Sequence, residues 1–554
     1  MAERLRENTG KTFLSGVLLL SLSTVLVKII GLIYKIPMLT YLGSVGMGYF
    51  NSAYEIYALF CVISTAGLPV ALSVMIASAR ARGNGGEVRC IWRHSLRIFI
   101  GVGMLGTAVM LLFSRRFCQM IQSEHALGSI LAISPTVFFI CVSSALRGYF
   151  QGYQRMLPTA VSQVIESLGK IVFGVLLARY ALGRGYDTPT VAAFAGMGLT
   201  LGTALSLLYL VLEKIRFSPG EEEDTALAEP RLPSAARIWS RLAKLAIPMT
   251  LGASLVSMTK LVDMTMILRR LQSIGYSEVL ANEAYGSYTT LALSVYGLLP
   301  TLVNSIALPL VPMLSAAIAS GDRARQEDMI RNSYQLTALF ALPASLGVAA
   351  YAEPILRLLF GGTPSAVEIA APLLSALGMS VFFSCMITAT NSVLHAYQAV
   401  KRPIVSMLAG AAIKILTAYL LIGNPRIALL GAPISTFLCN VTVVCVNLLF
   451  AATLCHVSGL WQLFWRPLAA ATLSIGVSYA VYWILSTHIG EHAMLTVSAI
   501  LLAMIFYLIF ALAMGAVKES LIQMLPQGDR LCKILKKLRL LGVSPATEKK
   551  GAFK

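Results

Sequence analysis

The segment FFICVSSALRGYFQGYQRMLPTA (Phe138–Ala160) has an echo further along the chain, FFSCMITATNSVLHAYQAVKRPI (Phe382–Ile404). Phe138 aligns with Phe382, Cys141 with Cys385, Ala145 with Ala389, and Tyr153-Gln154 with Tyr397-Gln398. The register continues to Lys170 and Lys414, since 382 less 138, 397 less 153 and 414 less 170 each give 244. Chance rarely places so many identities at one offset, so a long internal repeat is the first expectation.

The chain around the echo is apolar. Of its 554 residues 57% are hydrophobic and 12% charged, with mean hydropathy +0.76. Soluble domains carry about 25% charged residues. The composition is that of an all-α polytopic membrane protein. A bilayer core of about 30 Å needs about 20 apolar residues per helix. On that measure fourteen spans are expected, near 13–39, 50–78, 92–113, 129–150, 158–180, 190–213, 239–268, 284–318, 332–352, 365–390, 403–423, 428–454, 466–487 and 494–516. Gly67 and Pro69 in the second, and Pro300, Pro309 and Pro312 in the eighth, predict kinks. Gly67, Pro69, Pro309 and Pro312 are also candidate hinges. The first run lacks a cleavage site after a short apolar core and reads as a retained span.

An even number of spans puts both termini on one side. If that side is the cytoplasm, its loops and tails hold 31 of the 44 Lys and Arg residues, the opposite loops eight, and the spans five. The positive-inside rule therefore predicts cytoplasmic termini. The net charge of +19 follows from that distribution and does not call for a nucleic-acid partner. Nine cysteines, mostly inside apolar runs and without C-x-x-C spacing, read as free thiols.

The echo maps spans four and five onto spans ten and eleven, six spans apart and hence in the same orientation. LPVALSVMIASARAR from Leu68 and LPLVPMLSAAIASGDRAR from Leu308 relate the second and eighth spans more loosely. The expected organisation is a six-helix lobe over 1–214, a charged cytoplasmic linker over 215–238 and a second six-helix lobe over 239–454. Two further helices over 455–516 and a basic amphipathic tail over 517–554 follow. Parallel repeats of this kind place the substrate at the repeat interface and alternate access by rocking. The tail sequence RLCKILKKLRLL predicts an interfacial helix on anionic inner-leaflet lipids.

Charged residues deep in a span cost at least about 2.5–3.5 kcal/mol each and mark function or pairing. The candidates are Lys28, Lys35, Glu55, Glu166, Lys170, Lys260, Asp263 and Lys414. Glu166 and Lys170, four apart, and Lys260 and Asp263, three apart, have the spacing of same-face ion pairs. Lys28, Lys35 and Lys414 have no acid within one turn of their own helix, and Lys35 could snorkel. A wet cavity with surplus positive charge would suit a phosphate or pyrophosphate head group. HIGEH (His488–His492) matches an H-x-x-E-H pattern, but Gly490 interrupts it in a short loop and no third ligand is evident. No Walker loop is present. No metal, cofactor or enzymatic activity is expected.

The stretch RGYFQGYQRMLPTAVSQVIESLGK, with VKIIGLIYKIPMLTYLGSVGMGYFNSAYEIY and STAGLPVALSVMIA, resembles the stage V sporulation protein B group of polysaccharide-biosynthesis membrane proteins. That group belongs to the superfamily of MurJ-like lipid II flippases, O-antigen flippases and multidrug and toxin extrusion (MATE) antiporters. The resemblance implies fourteen helices in two lobes and export of a lipid-linked sugar. It implies a cavity lined by Lys28 and Lys35, and an acidic role for Asp263. Tyr49-Phe50, Phe60-Cys61 and Ala292-Leu293 stand where Gram-negative MurJ sequences carry an acid and two basic positions, so head-group contacts there must differ. The expected cargo is an undecaprenyl-pyrophosphate-linked peptidoglycan or polysaccharide precursor. The alternatives are an ion-coupled drug antiporter and a scaffold recruiting cell-wall synthases through the tail.

Overall fold

A computed structural model describes residues 2–217, 234–307, 310–399, 401–455, 460–489 and 492–517. The linker and tail assignments fall largely outside them. Every described element is helical, as lipid requires of backbone groups that cannot reach water.

The helices fall into two compact units. The first holds Met1–Thr290 with Ile422–Leu429, the second Leu291–Leu421 and the chain from Leu430 onward. In the first lie α1 (Ala2–Thr65), α2 (Leu68–Ala81), α3 (Gly85–Leu112), α4 (Ser114–Ile121), α5 (Leu127–Ile133), α6 (Thr136–Gly152), α7 (Leu157–Gly183), α8 (Thr188–Arg216), α9 (Ala235–Ser273) and α10 (Glu278–Ser287). The second is built from α11 (Leu293–Ala307), α12 (Leu310–Ala319), α13 (Arg323–Ala350), α14 (Ala352–Phe360), α15 (Pro364–Ala396), α16 (Lys401–Ile422), α17 (Gly431–Ala452), α18 (Leu460–Ile489) and α19 (Ala493–Ala513).

Among the described residues twelve stretches are long and apolar enough to cross a membrane, two fewer than the fourteen expected. The difference has two sources. One stretch, Leu26–Ala81, is 56 residues long, about 84 Å if straight, far more than one crossing. Gly43, at φ 66 and ψ 177, breaks its helical path, and a turn before Leu68 breaks it again. The expected eighth span is divided into α10, a π turn over Tyr288–Ala292, α11 and α12, each too short to qualify. The expected fourth span is divided too, with Pro135 preceding α6.

The bend at Gly67 has a packing cause. A Cβ there would stand 2.2 Å from the Ala246 carbonyl oxygen of α9, so only glycine lets the two backbones meet. Pro69 is buried at the start of α2, and Gly148 of α6 approaches its carbonyl so closely that a Cβ would stand 2.7 Å away. The first unit's core lies at this level. Leu72, Met75 and Ile76 of α2 pack with Phe99 of α3, Leu146 and Phe150 of α6, Leu210 of α8 and Leu242 of α9. Small residues at crossings and large ones in layers are what helix association in lipid selects.

The echo is a repeat of backbone geometry. α6 ends at Gly152 and α15 at Ala396, and α7 begins at Leu157 and α16 at Lys401; both pairs keep the 244-residue offset. Gln154 and Gln398 both take left-handed backbone angles, at φ 59 and 58. Arg155 N–H donates to the Phe150 carbonyl and Ala399 N–H to the Leu394 carbonyl, each at 2.9 Å. These are the same helix-ending bonds, made twice, and they satisfy carbonyls left over at each C-terminus.

Candidate functional site

Seven of the eight charged candidates lie in the first unit, and five of them gather in one cluster. Lys28 and Lys35 lie on α1 before the Gly43 break and Glu55 after it. Lys260 and Asp263 lie on α9. Glu55 is within electrostatic reach of Lys260, Lys35 and Asp263, and Lys260 is within reach of Lys28 and Lys35. Lys28 and Lys260 are exposed, while Lys35, Glu55 and Asp263 are half-buried. Three cations against two carboxylates leave the group one positive charge in surplus when all are ionised.

The π turn gives this cluster a fixed side. Lys35 Nζ donates to the Thr289 carbonyl at 3.1 Å. Asn51 Nδ2 donates to the Thr289 and Thr290 hydroxyls at 2.8 and 2.9 Å. Thr289 Oγ1 in turn donates to the Tyr285 carbonyl at 2.7 Å. Thr289 is therefore gripped from both sides of the Gly43 break, by Lys35 before it and Asn51 after it. The carbonyl that receives the ammonium group thus belongs to a π turn, where the backbone departs from the regular α-helical ladder.

Glu166 and Lys170 sit in a second network. Lys170 Nζ donates to Glu166 Oε1 at 2.7 Å, the helical ion pair expected from their spacing. A third member completes it. Arg147 Nη2 donates to Glu166 Oε2 at 2.9 Å and to Ser206 Oγ at 3.2 Å, and Arg147 Nε donates to Ser162 Oγ at 2.9 Å. Ser206 Oγ donates to the Ser162 carbonyl at 2.9 Å. Arg147 and Glu166 are both buried, at 8% exposure. Tyr54 lies within electrostatic reach of members of both networks, Lys170 and Glu166 of one and Glu55 of the other.

Lys414 lies on α16 in the second unit, half-buried. Pro309 is outside the described residues, and Pro312 belongs to α12. His488 is in the last turn of α18 and His492 caps α19, while Gly490 and Glu491 between them are outside the described residues. Arg147, Asn51 and Thr289 were not singled out from the sequence. Arg147 had a readable signal, a guanidinium inside the apolar run SSALRGYF. Thr289 had none, because its contribution is a backbone carbonyl.

A family described as polysaccharide biosynthesis protein matches residues 13–318, and a second, MatE, matches residues 278–420. The chain is 26% identical over 449 residues to stage V sporulation protein B of Bacillus subtilis (strain 168), covering 81% of this chain and 84% of that protein. It is 23% identical to the lipid II flippase MurJ of the same organism, covering 73% and 76%. Among solved structures, the inward closed conformation of lipid II flippase MurJ superposes with a TM-score of 0.67 at 16% identity, over 89% of this chain and 98% of that one. An inward-facing MATE transporter superposes with a TM-score of 0.59 at 15% identity, over 79% and 99%. The first family match spans more than half of the chain, and the fold is that of MurJ and MATE proteins: the chain belongs to the polysaccharide biosynthesis protein family, as a multi-span membrane protein.

Proposed function

We propose that the protein moves a polyprenyl-pyrophosphate-linked glycan precursor, with undecaprenol as the carrier, from the inner to the outer leaflet by alternating access. The observation that carries this reading is the grouping of Lys28, Lys35 and Lys260 around Glu55 and Asp263. Ammonium groups from two helices meet the two phosphates of such a head group, and the carboxylates limit their mutual repulsion when the site is empty. Lys414 is assigned to the same task. Lys170 is a weaker candidate because it already donates to Glu166. Glu55 and Asp263 balance charge or couple an ion; Glu166 balances Arg147 and Lys170. Gly67, Pro69, Pro309 and Pro312 are the proposed hinges. Both termini are assigned to the cytoplasm, where the basic tail would meet anionic lipids.

The MatE match and the carboxylates of the cluster favour one rival, an ion-coupled antiporter for organic cations. Proteoliposomes separate the two. A purified lipid-linked precursor should cross only when the protein is present, with its rate measured with and without a membrane potential. Cationic-dye efflux that collapses with the ion gradient, with no movement of the precursor, would select the antiporter instead.

A further inference from the structure

The chain has 16 lysines and 28 arginines, yet the eight cations that the expected spans leave on the face opposite the termini, span edges included, are all arginine. Lysine and arginine are equal as point charges, so a bias this complete suggests use of the guanidinium fork, which matches phosphate oxygens in pairs. Some of these arginines have partners in the protein: Arg357 donates to Glu353, and Arg270 lies against Gly423. Two others share a groove.

The groove is a shallow, open depression of about 380 Å³ at the C-terminal end of α7, lined by Leu176, Arg179, Tyr180, Gly183 and Arg184. Both arginines are exposed. The Arg184 guanidinium lies 5.3 Å from the centre of the Tyr180 ring. Tyr180 meets Phe194 of α8 at 6.4 Å, and Phe194 stacks on Tyr186 at 5.9 Å and 14°. Tyr180, which lines the groove, is thus backed by an aromatic ladder through Phe194 to Tyr186. The mouth is open at Gly183, where an added Cβ would meet nothing within 4 Å. No carboxylate lines the cavity; Asp187 stands beyond it as the cap of α8.

An apolar track leads into the groove. Leu168, Val172, Leu176 and Tyr180 recur every four residues on one face of α7, with exposures of 47, 51, 58 and 52%. From Leu168 to Tyr180 the rise is about 18 Å, close to the roughly 15 Å of one leaflet's hydrocarbon. A soluble anion would use the arginines and ignore the track. An amphiphile uses both.

We infer that this end of α7 is a docking site for a membrane lipid with a phosphate head group, the phosphate held by Arg179 and Arg184 and one chain laid along Leu168, Val172 and Leu176. In the proposed orientation the lipid belongs to the outer leaflet. The site depends on that orientation only for the name of the leaflet, and not on the identity of the cargo.

The test uses the full chain in phosphatidylcholine nanodiscs carrying a trace of phosphatidylglycerol with a photoactivatable acyl chain. After photolysis, label should map to residues 168–180 and exceed that from a phosphatidylcholine probe of the same chain. Arg179→Gln with Arg184→Gln should lower it about tenfold, or about 1.4 kcal/mol, with no change in melting temperature because both side chains are exposed. Arg357→Gln should leave it unchanged. Gly183→Leu, which fills the mouth without a clash, should also lower it and serves if the double variant is unstable. Equal labelling by the phosphatidylcholine probe, full labelling of the double variant, or displacement by millimolar glycerol phosphate would overturn the inference.

Discussion

Arg147 and Asn391 occupy one position of the repeat, 391 less 147 being 244, yet only the first meets an acid. Arg147 Nη2 donates to Glu166 Oε2 at 2.9 Å, whereas Asn391 Oδ1 accepts from Asn447 Nδ2 at 2.8 Å. The acid's counterpart in the second half is Gly410 and that of Lys170 is Lys414. Both copies carry polar contacts at this repeat position, one an ion triad and the other a pair of amides.

The triad gives the first prediction. Glu166→Ala leaves the buried Arg147 and the half-buried Lys170 without their carboxylate and should cost about 3–5 kcal/mol. Replacing Arg147, Glu166 and Lys170 together with apolar residues of similar volume should recover most of that loss. Heat unfolding in detergent measures both. A Glu166→Ala protein as stable as the parent would show that the triad contributes nothing.

The helix-ending glutamines make a paired test. A side chain in the left-handed region costs about 1–2 kcal/mol relative to the right-handed one, and glycine escapes that cost. Gln154→Gly and Gln398→Gly should each raise the melting temperature, while Gln154→Val and Gln398→Val should lower it by similar amounts. Opposite signs at the two sites would mean that the shared geometry does not reflect a shared constraint.

Glycines of α7 and α8 should differ sharply from those facing outward. A Cβ on Gly169 would stand 2.7 Å from Gly202 Cα, and one on Gly202 would stand 2.5 Å from the Lys170 backbone nitrogen. Gly202→Ala must therefore push the helices apart and should cost about 1–3 kcal/mol. Gly101→Ala on α3 meets nothing within 4 Å and should gain about 0.5–1 kcal/mol. Thermal melts of the two variants provide the comparison, and equal effects would contradict the packing described.

Much of this was legible in the residues. The offset of 244 announced the repeat because helix ends need specific backbone angles, and Tyr-Gln recurs at both. The spacing of Glu166 and Lys170 announced an ion pair because side chains four apart share a helical face. Arg147 was harder to read as the third member, since its partners come from α7 and α8. The Gly43 break falls between the expected first and second spans, near 13–39 and 50–78, although hydropathy cannot name the one residue of positive φ at which the path turns. The gathering of Lys28, Lys260 and Glu55 required the packing of α9 on α1, contacts that span some 200 positions of sequence and follow no local pattern. The grip on Thr289 lies further from reach, because it depends on a main-chain carbonyl within a π turn.

The most direct measurement of the central claim is the transbilayer rate of a purified polyprenyl-pyrophosphate-linked glycan in proteoliposomes carrying Lys28→Ala. Lys28 is exposed, so the variant should fold and reach the membrane in normal amount. If its ammonium group receives the head group, the rate falls at least about tenfold, a barrier increase of about 1.4 kcal/mol or more, and Lys28→Arg restores part of it. Transport at the parent rate by Lys28→Ala would contradict the assignment of the lysine cluster.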